Sequence, residues 1–264
     1  MHTRNATAAA SQTVVVDGIP LHALTQQQTV TEVMAQLERG NGGLLLTANV
    51  DIMFRLQMPE HRDVLDGSTL IVADGMPVVW ASRLQGTPLP ERVTGADLVW
   101  DLSREAARRG RTVFLLGAAP GVAERAGKEF ERRFPGLKVV GHDAPPKGFE
   151  DDPAYMTDLV SRMQQVSPDL CYVALGFPKQ ERVALMLRAQ LPSTWFMGCG
   201  AALDMAAGQV RRAHPKLQDL GGEWVFRLLQ EPRRLGRRYL RDDLPYAVGL
   251  VGRALLSRVG KPRG

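Results

Sequence analysis

What the chain has little of narrows it first. Cys171 and Cys199 are its 2 cysteines, too few for a disulfide framework or a cysteine-rich zinc module. Both lie in apolar runs and read as small core residues in reducing surroundings. No apolar run reaches the roughly 18 residues that span a bilayer. The 5 histidines are scattered, with no pair at metal-ligand spacing. G-x-G-x-x-G is missing, which argues against a nucleotide-sugar epimerase or dehydrogenase. Walker A is missing too: the run from Gly121 to Lys128 is one residue too long and has no Ser or Thr after it. There is no G-x-S-x-G elbow. No Asp-x-Asp occurs, so the usual carboxylate clamp for a metal-held sugar nucleotide is absent. Residues 1–12 are polar and rich in Ala, Ser and Thr, without an apolar stretch; they read as a frayed tail rather than a secretory signal.

Charge is unevenly placed. Residues 209–264 carry 13 Lys+Arg against 5 Asp+Glu, while the whole chain has a net charge of only +5. A basic tail therefore follows a mildly acidic body. Such a tail suits nucleic acid, an anionic membrane surface or a phosphate-bearing substrate, or it is a solvated helix face. Leu235, Tyr239 and Leu240 are interleaved with arginines between 231 and 241, and apolar residues recur at helical spacing after Pro245 around Arg253 and Arg258. This predicts amphipathic helices for a membrane interface, or for packing on the body or on a second copy in a homo-oligomer. The acidic body and the lack of any recognition motif argue against nucleic acid.

The body alternates. Short apolar runs at 43–49, 69–73, 112–117, 137–141, 170–176 and 194–198 read as strands. Helical patterns cover roughly 28–39, 76–83, 95–109, 121–134, 151–166 and 178–190. A small hairpin over 13–21 leads in. The expected fold is α/β: a Rossmann-like, mostly parallel sheet with helices on both faces, plus a basic helical C-terminal appendage. The expected division is a tail at 1–12, a body at 13–208 and the appendage at 209–264.

Ligands of such sheets bind beyond the carboxyl ends of the strands. There the chain places Thr47, Asn49 and Asp51, then Asp74-Gly75, Gly117-Ala-Ala-Pro-Gly121, Gly176-Phe-Pro-Lys-Gln-Glu181 and Gly198-Cys-Gly-Ala-Ala-Leu-Asp204. Three of these are glycine turns into helices, whose free N–H groups suit a diphosphate, although tight turns need glycine anyway. Asp74 is a helix cap or a general base. Thr47 and Asn49 hold sugar hydroxyls or make turn bonds. Arg92 binds phosphate or pairs with a carboxylate, and Lys179 and Gln180 stand in the first turn of a helix. Asp97 and Asp204 read as helix-start residues.

Taken together these pieces resemble the WecB/TagA/CpsF glycosyltransferases (glycosyltransferase family 26). The matching runs are Thr47-Ala-Asn49, Ala73-Asp74-Gly75-Met-Pro, Glu91-Arg92-Val-Thr-Gly95-Ala-Asp97, Phe114-Leu-Leu-Gly117, Gly176-Phe-Pro-Lys179-Gln180-Glu181, Gly200-Ala-Ala-Leu-Asp204, Glu223-Trp224 with Arg227, and Glu231-Pro-Arg-Arg234 with Arg237-Arg-Tyr239. The run Arg212-Ala-His-Pro-Lys216 departs from the family's Arg-Ala-Pro. The resemblance implies an inverting transferase that moves a sugar from a UDP-sugar donor to a polyprenyl-diphosphate-linked sugar acceptor in bacterial surface-polysaccharide synthesis. It implies a cytoplasmic protein peripheral to the inner face of the cell membrane. By motif, Asp74 is the general base. Thr47, Asn49, Arg92, Gly117, Lys179 and Gln180 are substrate contacts, and Arg227, Arg234 and Arg237 are diphosphate or membrane contacts. No cofactor or metal is expected. A non-catalytic nucleotide-sugar-binding regulator that docks through its basic tail is the alternative.

Overall fold

The computed structural model describes residues 12–210, 213–214, 222–230 and 236–259. It opens with a hairpin, β1 (Thr13–Val16) and β2 (Ile19–His22). The turn is Asp17-Gly18, with φ of 50° and 79°, a two-residue connection that needs left-handed backbone at both positions.

The main sheet contains β3 (Gly43–Ala48), β4 (Leu70–Ala73), β5 (Thr112–Gly117), β6 (Lys138–Asp143), β7 (Leu170–Ala174) and β8 (Trp195–Gly198). Their order is β4-β3-β8-β7-β5-β6, with every neighbouring pair parallel. Every residue of β3, β4, β7 and β8 is buried, which is why these strands read as unbroken apolar runs rather than alternating ones.

Between the strands run α1 (Gln26–Glu38), α2 (Val50–Leu56), α3 (Arg62–Gly67), α4 (Met76–Leu84), α5 (Gly95–Arg109), α6 (Val122–Arg133), α7 (Pro153–Val166), α8 (Lys179–Arg188) and α9 (Ala202–Ala206). One sheet face, including Leu45, Val72, Leu115, Tyr172 and Met197, packs on α1, α5, α6 and α9. On the other face, Leu46 and Ile71 meet α2, α4 and the hairpin, while Leu116, Val173 and Phe196 meet α7 and α8. Each fully buried Leu, Val or Phe contributes roughly 1.5–3 kcal/mol. Thus the six strands and the expected helices are all present. The sequence pattern left 50–67 without structure, and the chain forms α2 and α3 there. Two adjacent parallel strands cannot be joined by a tight turn, so the connection must cross over and fold back.

Beyond the body lie α10 (Glu223–Gln230) and, after a π-helical turn at Tyr239–Asp243, α11 (Leu244–Val259). Pro245 follows directly on the π-helical turn, in which the Leu244 N–H bonds the Tyr239 carbonyl. Leu250 and Ala254 of α11 are buried in the same cluster as the hairpin and α4. Arg253 grips the Asp17 carboxylate with two hydrogen bonds of 2.8 and 2.7 Å, and the Tyr246 hydroxyl donates to it at 2.7 Å. Leu240, Leu244, Val248, Leu255 and Leu256 stay exposed. Among the described residues no helix is long and apolar enough to cross a membrane.

Candidate active site

The carboxyl ends of β3, β4 and β8 meet the start of α5. Asp74 follows β4, its backbone N–H donating to the Ala48 carbonyl at 2.9 Å. The helix after it has Gly75 at its N-cap, so Asp74 stands one residue outside the capping position. Its Oδ2 instead accepts the Gly95 N–H, the first of α5, at 3.2 Å. A carboxylate there gains from the N-terminal dipole of a 15-residue helix. Gly95 lies close to two strand ends: a Cβ on it would stand 3.1 Å from Thr47 Oγ1 and 3.7 Å from the Gly198 carbonyl oxygen. Thr47, Asp74, Gly95 and Gly198, far apart in the chain, therefore surround one point. Thr47 is buried, and Asp74 is half-buried, open enough to meet a ligand. Asn49 caps α2, its Oδ1 accepting the Ile52 N–H at 3.0 Å.

The loops after β7 and β8 are joined by Gln180. Its Oε1 accepts the Gly176 N–H at 3.1 Å and the Gly200 N–H at 3.2 Å. Its Nε2 donates to Glu181 Oε1 at 2.8 Å. The motif thus yields a clasp between two strand ends. Lys179, one residue earlier, turns to Glu150 at 2.6 Å and lies over the Phe149 ring. Gly117 has φ of 101°, and a Cβ on it would meet the Ala174 carbonyl oxygen at 2.5 Å; backbone packing alone requires glycine there. Burial pushes both cysteine thiols upward in pKa, as inert core thiols behave.

An open groove of about 860 Å³, lined by Met76 two residues after Asp74, runs past Arg92, Trp100 and Arg104 to Arg133. Arg133 stacks over Trp100 at 5.2 Å, and Arg104 pairs with Asp101 at 2.6 Å. Among the described residues no cluster of three or more His, Cys, Asp or Glu side chains could hold a metal ion. From the C-terminal region, Arg238 reaches Asp51 at 3.7 Å, in the helix that Asn49 caps, and Asp243 at 3.4 Å. Burial raises Asp243 to about 6, with Arg238 opposing the rise and Asp51 adding to it. Arg237 is exposed. Arg234 lies outside the described residues, as does the side chain of Arg227, whose backbone is in α10.

Gly95, Glu181 and Arg238 were not picked out from the sequence. Gly95 and Glu181 stand inside the quoted motifs, and Arg238 is next to a predicted contact. Only the packing separates them from their neighbours.

An α/β body that gathers a carboxylate, a hydroxyl and helix N-terminal N–H groups at its strand ends is suited to receive a polar ligand. Comparison with known proteins makes this specific. The chain matches the glycosyl transferase WecG/TagA/CpsF family over residues 14–260. It is 33% identical over 202 residues to the N-acetylglucosaminyldiphosphoundecaprenol N-acetyl-β-D-mannosaminyltransferase of Bacillus spizizenii, covering 76% of each chain. The protein of the same name from Staphylococcus aureus strain MW2 is 31% identical over 232 residues, 86% of this chain and 89% of its own. That of Bacillus subtilis strain 168 is 30% identical over 197 residues, 74% and 75%. The chain belongs to the WecG/TagA/CpsF family of glycosyltransferases.

Proposed function

We propose that this glycosyltransferase transfers a sugar from a UDP-sugar to a polyprenyl-diphosphate-linked sugar, inverting the anomeric carbon. The relatives, named for an undecaprenyl-diphosphate-linked acceptor, support the acceptor class. The observation that carries the chemistry is Asp74, half-buried at a strand end with its Oδ2 accepting the Gly95 N–H, two residues before Met76 of the open groove. Asp74 takes the proton of the acceptor hydroxyl. The oxygen bonds to the anomeric carbon from the face opposite the nucleotide, the anomeric C–O bond breaks, and the nucleoside diphosphate leaves with the electron pair. One displacement needs one base.

Charge on the leaving diphosphate is met by N–H groups of the glycine turns and by cations rather than a metal. Thr47, Asn49 and Arg92 contact the sugars or phosphate. Gly117, Lys179 and Gln180 shape the donor side, and Arg227, Arg234 and Arg237 meet the acceptor diphosphate or lipid headgroups. In this reading residues 13–208 form the body, and 209–264 form an appendage that lies on the inner face of the cell membrane through its arginines and the exposed apolar residues of α11.

The test is transfer onto a short-chain polyprenyl-diphosphate-sugar from a panel of UDP-sugars, with and without EDTA, read by mass spectrometry of the lipid. The acceptor should gain one sugar unit in either condition, and Asp74→Asn should abolish the gain. Binding of UDP-sugars with no transfer in any combination would support a regulatory binding protein instead.

A further inference from the structure

Among the described residues, Glu181 is a fully buried carboxyl near the strand ends that the reaction above leaves unused, at 0% exposure. Its Oε1 takes a hydrogen bond from Gln180, and its Oε2 has no hydrogen-bond partner among the described residues. A buried carboxyl with an unsatisfied oxygen costs stability, and an apolar side chain of similar size would suit such a site better. Gly198 of β8 lies against the pair: a Cβ there would fall 2.5 Å from Gln180 Nε2 and 2.5 Å from Glu181 Oε1, so these side-chain ends would have to move. Glycine at 198 and the buried carboxyl therefore both accompany the Gln180–Glu181 pairing.

The consequence for geometry is direct. An amide side chain has two faces, and its oxygen and nitrogen exchange places by rotation about the last bond. Gln180 can bridge the Gly176 and Gly200 N–H groups only with its oxygen toward them. An acceptor on the nitrogen side selects that orientation, and Glu181 supplies the acceptor. If the amide turned over, its NH₂ would face two N–H donors, and both loops would lose their partner.

We infer that Glu181 is a positioning residue of the donor site, acting through Gln180 to hold the glycine loops after β7 and β8 in the arrangement that receives the diphosphate. This rests on the transferase reading proposed above. The role predicts stability and activity moving in opposite directions, which a merely structural residue would not show.

The experiment compares Glu181→Met, which fills the volume without an acceptor, with Glu181→Gln, which keeps an oxygen for the Gln180 amide. Three quantities are read in the full chain: thermal unfolding, transfer kinetics with uridine diphosphate affinity by calorimetry, and amide hydrogen exchange. Glu181→Met should unfold at the wild-type temperature or above it, exchange faster at Gly176 and Gly200, and lose about tenfold or more in kcat, with weaker uridine diphosphate binding. Glu181→Gln should restore kcat to within about threefold of wild type.

Unchanged exchange at the two glycines would overturn the clasp. Faster exchange with wild-type kcat and affinity would overturn the positioning role, as would activity lost only in step with unfolding. If the wild type transfers nothing, the transferase reading falls. The exchange and uridine diphosphate affinity of the variants then still decide whether Glu181 orders this site.

Discussion

Asp74 and Glu181 show how two carboxyls acquire opposite duties from their surroundings. Asp74 is half-buried and accepts a helix N-terminal N–H, which favours a carboxylate there. Asp74→Asn keeps an oxygen for the Gly95 N–H while removing the base. Transfer should fall by about 10²–10⁴-fold, with uridine diphosphate binding retained and the unfolding temperature little moved. Equal activity in the variant would remove Asp74 from the chemistry. Glu181 is enclosed, and burial pushes it up to about 7 from 4.5, only partly offset by the Gln180 hydrogen bond. An acid raised on folding binds its proton more tightly in the folded state. Its contribution to stability is therefore fully present below about 4.5 and is lost as pH rises toward 7, by roughly 3 kcal/mol in all. Urea unfolding of wild type and Glu181→Gln across pH 4.5–8 should show the variant gaining on the wild type over that interval. Parallel curves would mean that Glu181 does not titrate in this range.

At the scale of elements, the informative contact joins the first hairpin to the last helix. Asp17 stands in a turn where an Asp-Gly pair is needed for the backbone, yet its side chain is held by Arg253 and Tyr246 of α11. Burial pushes its carboxyl upward, but the bonds from Arg253 and Tyr246 outweigh it and hold it below its ordinary value. A depressed acid contributes stability above its unfolded value near 3.8, and that contribution is lost as pH falls through the folded value. Because Arg253 is half-exposed, solvent screens the pair, and its net worth is at most about 1 kcal/mol. Arg253→Ala should lower the unfolding temperature by about 2–4 °C at neutral pH and by less at pH 3. The same loss at both values would assign the effect to packing on the Tyr246 ring, over which Arg253 lies at 5.5 Å, rather than to charge.

For the whole molecule, the question is how a transferase with no membrane-crossing helix among its described residues would reach the lipid-linked acceptor proposed for it. Leu244, Val248, Leu255 and Leu256 project from a helix whose other side is already committed to the body through Leu250 and Ala254. An apolar row left in water on an otherwise fastened helix suits burial at a bilayer surface, with arginines adding attraction to anionic headgroups. Changing Leu244, Val248 and Leu256 together to Glu should abolish sedimentation with vesicles containing anionic lipid while leaving the unfolding temperature within about 2 °C. Full retention on vesicles would place the membrane contact elsewhere in the chain.

Much is legible in the sequence alone. The unbroken apolar runs could only be strands covered on both sides, and their alternation with helical patterns required a parallel sheet. Asp74, Thr47 and Asn49 stood out because ligands of such sheets gather at strand ends. Residues 50–67 were not legible, because a crossover broken by Pro59 and Gly67 has too short a helical pattern to be read locally. The residue order by itself determined which segments become strands and which helices, since periodicity and glycine turns act between neighbours in the chain. Only the tertiary structure decided that Gly95 lies against Thr47, that Gln180 clasps Gly176 to Gly200, and that Glu181 rather than Lys179 turns inward. Those contacts span up to 48 residues, and they follow from which side chains fit between packed elements, a condition no local pattern carries.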